Sequence, residues 1–242
     1  EPLFRYNPDM LDIQNLCLSF KEKNVIQEVS FTVNKGECFG IIGPSGTGKS
    51  TLLNVICGLL KPESGEIRFL GDSLNTYNIY EYRKRVRYIP PKPDFFQGTV
   101  QEHFNTIIKY LKAEKKSSLE KVLQDVNELF PDSSILTRKT GELSTGKAKR
   151  ILLIQNFLSP PDIFVLDEVF TGLDPSLAEK ALTMCQSQCQ AVIATSHEIG
   201  FMQKNMNRMV FYKNGQILEE SIKGFQDATN REALEYLNGS RE

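Results

Sequence analysis

The sequence predicts an α/β fold: a mixed-sheet core with a β-rich N-terminal part and an inserted α-helical part. Three observations predict it. Residues 37–60 read as a short apolar strand, a glycine-rich loop and an apolar helix in succession. Residues 163–166 (IFVL) and 191–195 (AVIAT) are continuous apolar runs, as expected of strands covered on both faces. Between residues 100 and 130 the apolar spacing changes from strand alternation to the period of a helix.

The loop at 43–51, GPSGTGKST, carries the most specific pattern. Its first eight residues fit G-x-x-x-x-G-K-[ST] at every fixed position. Gly43, Gly46 and Gly48, with Pro44, Ser45 and Thr47 between them, let the backbone curl so that successive N–H groups face a polyphosphate. The helix at 50–60 (STLLNVICGLL) presents the positive end of its dipole to the same place, and Lys61-Pro62 stops it. Lys49 is expected to set a mobile cation against the outer phosphates, and the Ser50 hydroxyl to ligate Mg²⁺; Thr51 completes the binding run. A chance glycine-rich turn would not arrive with a strand before it and a helix after it.

Bulk properties bound the rest. The chain has 242 residues, 40% apolar and 24% charged, which is ordinary for a globular protein. A net charge of −1 gives no electrostatic reason to bind nucleic acid or an anionic membrane. No apolar run is long enough to span a bilayer and residues 1–10 lack signal-peptide character, so a cytoplasmic location is expected. The five cysteines (Cys17, Cys38, Cys57, Cys185 and Cys189) are scattered through apolar segments and read as reduced core thiols. Cys185 and Cys189 could share a helix face but have no partner ligands nearby, and His103 and His197 are too separated in sequence to argue for zinc.

Taken in order, residues 11–20 and 25–33 alternate apolar and polar around a turn at 21–24 and read as a hairpin. A second turn at 34–36 leads to the strand before the loop. Residues 65–70 form a further strand, 71–72 a turn, 80–85 a helical turn and 86–89 another strand. The run Pro90-Pro91-Lys92-Pro93 breaks regular structure. In the helical stretch Val100, Phe104, Ile107, Ile108 and Leu111 mark one face; Leu119, Val122, Leu123, Val126 and Leu129 mark another. The charge cluster at 112–116 reads as a solvated helix end and loop. A helix beginning near Ser144 runs to Leu158, and another starts at Pro175. Residues 209–212 and 216–219 flank Asn214-Gly215, a hairpin signal, and 223–237 read as a polar helical tail.

Residues 163–168 (IFVLDE) end a buried strand in two acids. Such a strand delivers a carboxylate at its C-terminal end, beside the loop. Asp167 is expected to hold Mg²⁺ through its water shell, and Glu168 to orient or deprotonate a water.

The set GPSGTGKST, LSTGK, IFVLDE, TGLD and TSHE, in that order, resembles the nucleotide-binding domain of ATP-binding cassette (ABC) proteins over about residues 11–221. The resemblance implies a P-loop NTPase core, with a RecA-like mixed sheet and an N-terminal antiparallel β-subdomain, plus the inserted helical subdomain. On this reading the α/β core is 11–93 and 158–222, the helical subdomain 94–157, and 223–242 a C-terminal helical tail. It implies an ATPase using ATP and Mg²⁺ that dimerises head to tail around two ATP molecules. It would drive a separate transmembrane permease chain from the cytoplasmic face of the membrane, with no nucleic-acid partner. Phe20 sits where such domains stack an aromatic on adenine, although a core residue at a strand end is an equal reading. His197 matches the switch histidine at the γ-phosphate and Asp174 the aspartate that organises contacts across the dimer. Ser144 and Gly146 match the signature segment that meets the other subunit's ATP, Ser144 also capping the following helix. Phe95 and Phe96 match the loop that meets the membrane subunit.

The sequence also departs from the family. LSTGK stands where LSGGQ is usual, with Thr145 and Lys147 replacing a glycine and a glutamine. Pro91 occupies the place of a glutamine that touches Mg²⁺ and the attacking water; Lys92 and Gln97 are the candidate substitutes. Val169 follows the acidic pair where proline is usual. These departures motivate an alternative, a weakly hydrolysing, nucleotide-gated regulatory or structural module. A soluble repair ATPase ranks low without sustained heptads or a basic face.

Overall fold

The computed structural model describes residues 9–21, 23–111, 119–130, 133–222, 225 and 229–239. β1 (Leu11–Phe20) and β2 (Lys23–Val33) form the expected antiparallel hairpin. β3 (Cys38–Ile42) runs into the glycine-rich loop and α1 (Lys49–Ile56) leaves it. β4 (Ser64–Phe69) pairs with the other side of β1, and β5 (Asp72–Ser73) with β4. Those strands make a four-stranded antiparallel sheet in the order β2-β1-β4-β5. After α2 (Ile79–Arg85) and β6 (Val86–Ile89) come three helices: α3 (Val100–Tyr110), α4 (Leu119–Leu129) and α5 (Thr145–Phe157). β7 (Ile163–Asp167), α6 (Pro175–Gln188), β8 (Ala191–Thr195), α7 (Ile199–Asn205), β9 (Arg208–Lys213), β10 (Gln216–Ser221) and α8 (Arg231–Gly239) complete the chain.

The second sheet has the order β10-β9-β3-β8-β7-β6. Its strands from β9 to β6 are parallel, and β10 closes one edge as the antiparallel arm of a hairpin. β3 and β7, which lead to the two motifs, flank β8. Alternate residues of the buried strands feed two separate cores. Ile163 and Val165 join Phe39, Ile41, Ile193 and the antiparallel sheet, together with Leu52, Leu53, Val55 and Ile56 of α1. Phe164 and Leu166 join α3, α4, α5 and α6 on the other side. Continuous apolar sequence in these strands is thus a consequence of burial on both faces.

Several local readings change. α1 ends at Ile56 and not at Leu60. Gly58, at φ +64°, donates to the Val55 carbonyl and Leu59 to that of Asn54, and this left-handed closure stops the helix before the proline. α3 begins at a capping box: the Thr99 hydroxyl accepts from the Glu102 N–H while Glu102 accepts from the Thr99 N–H. Val100 and Phe104 are fully buried, Ile107, Ile108 and Leu111 partly, whereas Leu123 of α4 is exposed. The tail is not polar throughout, because Ala233 and Leu237 of α8 are buried in the second core. The cluster at 112–116 lies outside the described residues.

Candidate nucleotide-binding site

The loop between β3 and α1 stays close to the sheet because its first residue has no side chain. Gly43 adopts φ +151°, and a Cβ there would lie 1.9 Å from the Tyr212 carbonyl oxygen of β9. Gly48, at φ +102°, also lies against the hairpin: a Cβ there would stand 2.9 Å from Val25 Cγ1. Around this curl lies a cleft of about 290 Å³ lined by Phe20, Val25, Ser45, Gly46, Gly48, Lys49, Ser50, Thr51 and Glu168. Pro44 and Thr47 belong to the loop backbone: the Thr47 hydroxyl donates to the Pro44 carbonyl at 2.9 Å. Phe20 is 48% exposed at the cleft, so the core reading of that ring is wrong; it stands at the end of β1 beyond the hydrophobic interior.

Lys49 is a buried ammonium whose Nζ donates to the carbonyls of Gly43 and Pro44 at 2.7 and 2.8 Å. Burial holds its pKa below the usual lysine range, opposed by the carboxylates of Glu168 and Asp167. A cation curled onto neutral carbonyls, next to a rim of loop N–H groups, suits an incoming anion. The same Gly43 carbonyl accepts from the Tyr236 hydroxyl of α8 at 3.1 Å, a contact spanning most of the chain.

The acidic pair follows from strand register. β7 and β8 align Asp167 with Thr195, whose hydroxyl donates to Asp167 Oδ1 at 2.8 Å. From β6 the Tyr88 hydroxyl donates to Oδ2, also at 2.8 Å. Burial, and then this bond to Asp167, pushes the Tyr88 phenol well above its ordinary pKa and keeps it a donor. Asp167 is only 1% exposed, so both oxygens are satisfied in an otherwise dry setting. Glu168 turns out of the strand at φ +51°, a conformation non-glycine residues rarely adopt. Its N–H donates to the Thr195 carbonyl and hydroxyl, and its Oε1 lies 2.6 Å from His197 Nε2. The same ring nitrogen is 3.3 Å from Ser45 Oγ of the loop. Loop, acidic strand end and histidine thus form one connected cluster.

Other predicted residues lie elsewhere. Ser144, Gly146 and Asp174 do not line this cleft. Ser144 stands at the N-cap of α5, but its side chain makes no cap bond, contrary to expectation; Asp174 caps α6 by accepting from the Ser176 N–H at 3.0 Å. Lys92 and Gln97 are both exposed, and it is Tyr88 that reaches Asp167 from this part of the chain. The aromatic pair divides: Phe96 is 51% exposed while Phe95 packs edge-on against His103 and the core. His103 is itself buried, its Nε2 2.9 Å from Gln155 Oε1, and burial lowers its pKa. Cys189 ends α6 in an extended conformation and shares no helix face with Cys185. Among the described residues no group of three His, Cys, Asp or Glu side chains could hold a metal.

Sequence reasoning missed Tyr88, Thr195, Lys149 and Tyr236. Lys149 left no local trace, standing between Ala148 and Arg150 in a basic stretch of the helix.

Comparison with known proteins agrees with this geometry. A family model described as ABC transporter matches residues 26–171. The chain belongs to the ABC transporter family. It is 30% identical over 210 residues to the uncharacterized ABC transporter ATP-binding protein YxlF of Bacillus subtilis, covering 86% of this chain and 69% of that one. It is 31% identical over 219 residues to the Nod factor export ATP-binding protein I of Burkholderia lata, covering 87% and 70%. A solved nucleotide-free ATP-binding cassette from an ABC transporter superposes with a TM-score of 0.78 at 25% identity, over 95% of this chain and 98% of that one. The chain is therefore an ATP-binding subunit of the ABC transporter type, an ATPase whose hydrolysis powers transport, on a P-loop NTPase fold. These likenesses do not favour the regulatory-module alternative. No helix among the described residues is long and apolar enough to cross a membrane.

Proposed function

We propose that ATP lies in the cleft between Phe20 and the loop, and that Glu168 activates the water that attacks it. The observation that carries this reading is the Glu168 carboxylate at the mouth of the loop, 2.6 Å from His197. Residues 45–51 cradle the phosphates through their N–H groups, and Lys49 moves from the Gly43 and Pro44 carbonyls to the phosphate oxygens. Phe20 lends its exposed face to the base. His197 orients Glu168 and lies within reach of the outer phosphate.

The donor set fits a hard divalent cation: the exposed Ser50 hydroxyl and the buried Asp167 carboxylate are oxygen ligands that Mg²⁺ accepts alongside water. When bound, Mg²⁺ would supply positive charge that offsets the charge developing on the phosphates. Tyr88 and Thr195 fix the orientation of the Asp167 carboxylate.

Ser144, Gly146 and Asp174 do not line this cleft, which supports their use in a second subunit's site. We assign the functional unit as two such chains packed head to tail, carried on a transmembrane partner at the cytoplasmic face. Phe96 and the loop around it offer that partner an exposed aromatic. The likeness to a Nod factor export protein favours an exporter-type partner.

The test combines turnover with mass in solution for Glu168→Gln. Loss of the base is expected to lower kcat by about 10²–10⁴ while ATP binding persists. Light scattering with Mg-ATP should then register a dimer where the nucleotide-free protein is monomeric. Wild-type turnover no faster than that of the variant would remove Glu168 from the reaction. A monomer that binds ATP with wild-type affinity would count against the two-chain unit.

A further inference from the structure

Lys149 is a lysine inside the protein. It lies in the second turn of α5, is only 5% exposed, and has buried Ala148, Leu152 and Leu153 on the same helix. Its Nζ donates to the carbonyl of Glu168 at 2.6 Å and to that of Thr171 at 2.8 Å. Burying an ammonium is costly unless it is hydrogen-bonded and near opposite charge. Here the carboxylates of Glu168, Glu198 and Asp167 oppose the desolvation that lowers its pKa. None of the family motifs quoted above includes this residue.

The two carbonyls belong to the turn that follows β7, and the first of them is the one whose residue sits at φ +51°. The Glu168 N–H is already held by Thr195 from β8. The peptide groups on both sides of the Glu168 Cα are therefore gripped, the N–H by a neighbouring strand and the carbonyl by α5.

We propose that Lys149 is a positioning residue: it fixes the left-handed backbone of Glu168 and thereby links the water-activating carboxylate to the helix that begins at the Ser144 signature segment. This rests on the reading of Glu168 given above. A rigid helix connects Ser144 to Lys149 in little more than one turn, so a displacement of that end on meeting a partner's nucleotide is delivered to Glu168 of the same chain. The link is a contiguous set of bonds, from helix to ammonium to carbonyl.

Substitutions in the full chain test it. Lys149→Met keeps the aliphatic stem and removes the donors. It is expected to lower kcat by about 10–100-fold, the scale on which small misplacements act, with ATP affinity changed by less than about 2-fold. Amide exchange in a peptide covering 166–173 should accelerate while that of 43–51 stays as in wild type. Lys149→Arg, which keeps donors and charge, should recover most of the rate and the slow exchange. In a Glu168→Gln background, Lys149→Met should add little further loss. Should Lys149→Met fail to fold, Lys149→Gln, with a shorter amide donor, carries the same measurements. Unchanged exchange at 166–173, or a fall in ATP affinity parallel to the fall in kcat, overturns the proposal. If Glu168→Gln itself turns over normally, the reading of Glu168 falls instead, and the exchange arm still decides whether Lys149 holds that turn.

Discussion

Asp167 is held by two hydroxyl donors, and they come from different strands. The Tyr88 hydroxyl and the Thr195 hydroxyl each donate to one oxygen of a carboxylate that water hardly reaches. Hydrogen bonds to charged groups contribute about 1.5–3 kcal/mol each. Tyr88→Phe should therefore destabilise the nucleotide-free protein by that amount, read as a lower urea midpoint at unchanged slope. An unchanged midpoint would mean that Asp167 finds another donor. Residues such as Gly43, Gly48, Lys49 and Asp167 were legible because their roles depend on neighbours within a few positions. Tyr88 and Thr195 were not, because their importance depends on the register of β6, β7 and β8, which no local pattern specifies. The exposure of Phe20 was undecidable for the same reason: a residue at a strand end is core or rim according to what packs over it.

The elements repeat that contrast. Strands β3, β7 and β8 were legible from unbroken apolar runs, and the β9–β10 hairpin from Asn214-Gly215, where both residues take φ near +50° to +85°. Helix ends were less so. The Gly58 closure of α1 stops that helix inside an apolar run, so hydrophobicity alone carries the reading too far. α8 was misjudged in another way. Ala233 and Leu237, four apart, share a face turned into the core, and Tyr236 stacks near Phe211 at 5.4 Å while bonding to the Gly43 carbonyl. A salt bridge from Lys213 to Glu232 at 2.5 Å fastens the first turn. α8 is thus part of the nucleotide site's support. Leu237→Ala should cost about 2–4 kcal/mol, as truncations of buried leucine do. Limited proteolysis of the variant should cut α8 ahead of the rest of the chain, and ATP affinity should fall with the loss of the Tyr236 contact. Uniform unfolding with no early cut would show that α8 is not a separable support.

At the scale of the molecule, one sheet divides two hydrophobic cores, and both motifs emerge at the same end of its parallel strands. The α/β class and the helical insertion were visible as changes of apolar period along the chain. The order of the strands was not, since β3 pairs with β8 and β9 and with no strand near it in sequence.

That placement matters while the chain is being made. β3 is finished early, yet its hydrogen-bonding neighbours are synthesised roughly 150 residues later, and α8 after those. At common translation speeds the interval is roughly 8–30 s. During it an entirely apolar strand and the nucleotide loop exist without the backbone that holds them. The antiparallel hairpin of β1 and β2 can pair locally, but Val25 and Gln27 of β2 wait for Tyr212 and Gly215. Ribosome-stalled chains ending before β8 should accordingly fail to bind immobilised ATP and should recruit chaperones. Chains released past α8 should bind. Retention of the shorter chains on ATP would show that the loop folds without its sheet. Nucleotide competence is thus expected to arrive late in biosynthesis, only once β8, β9 and α8 have joined the loop.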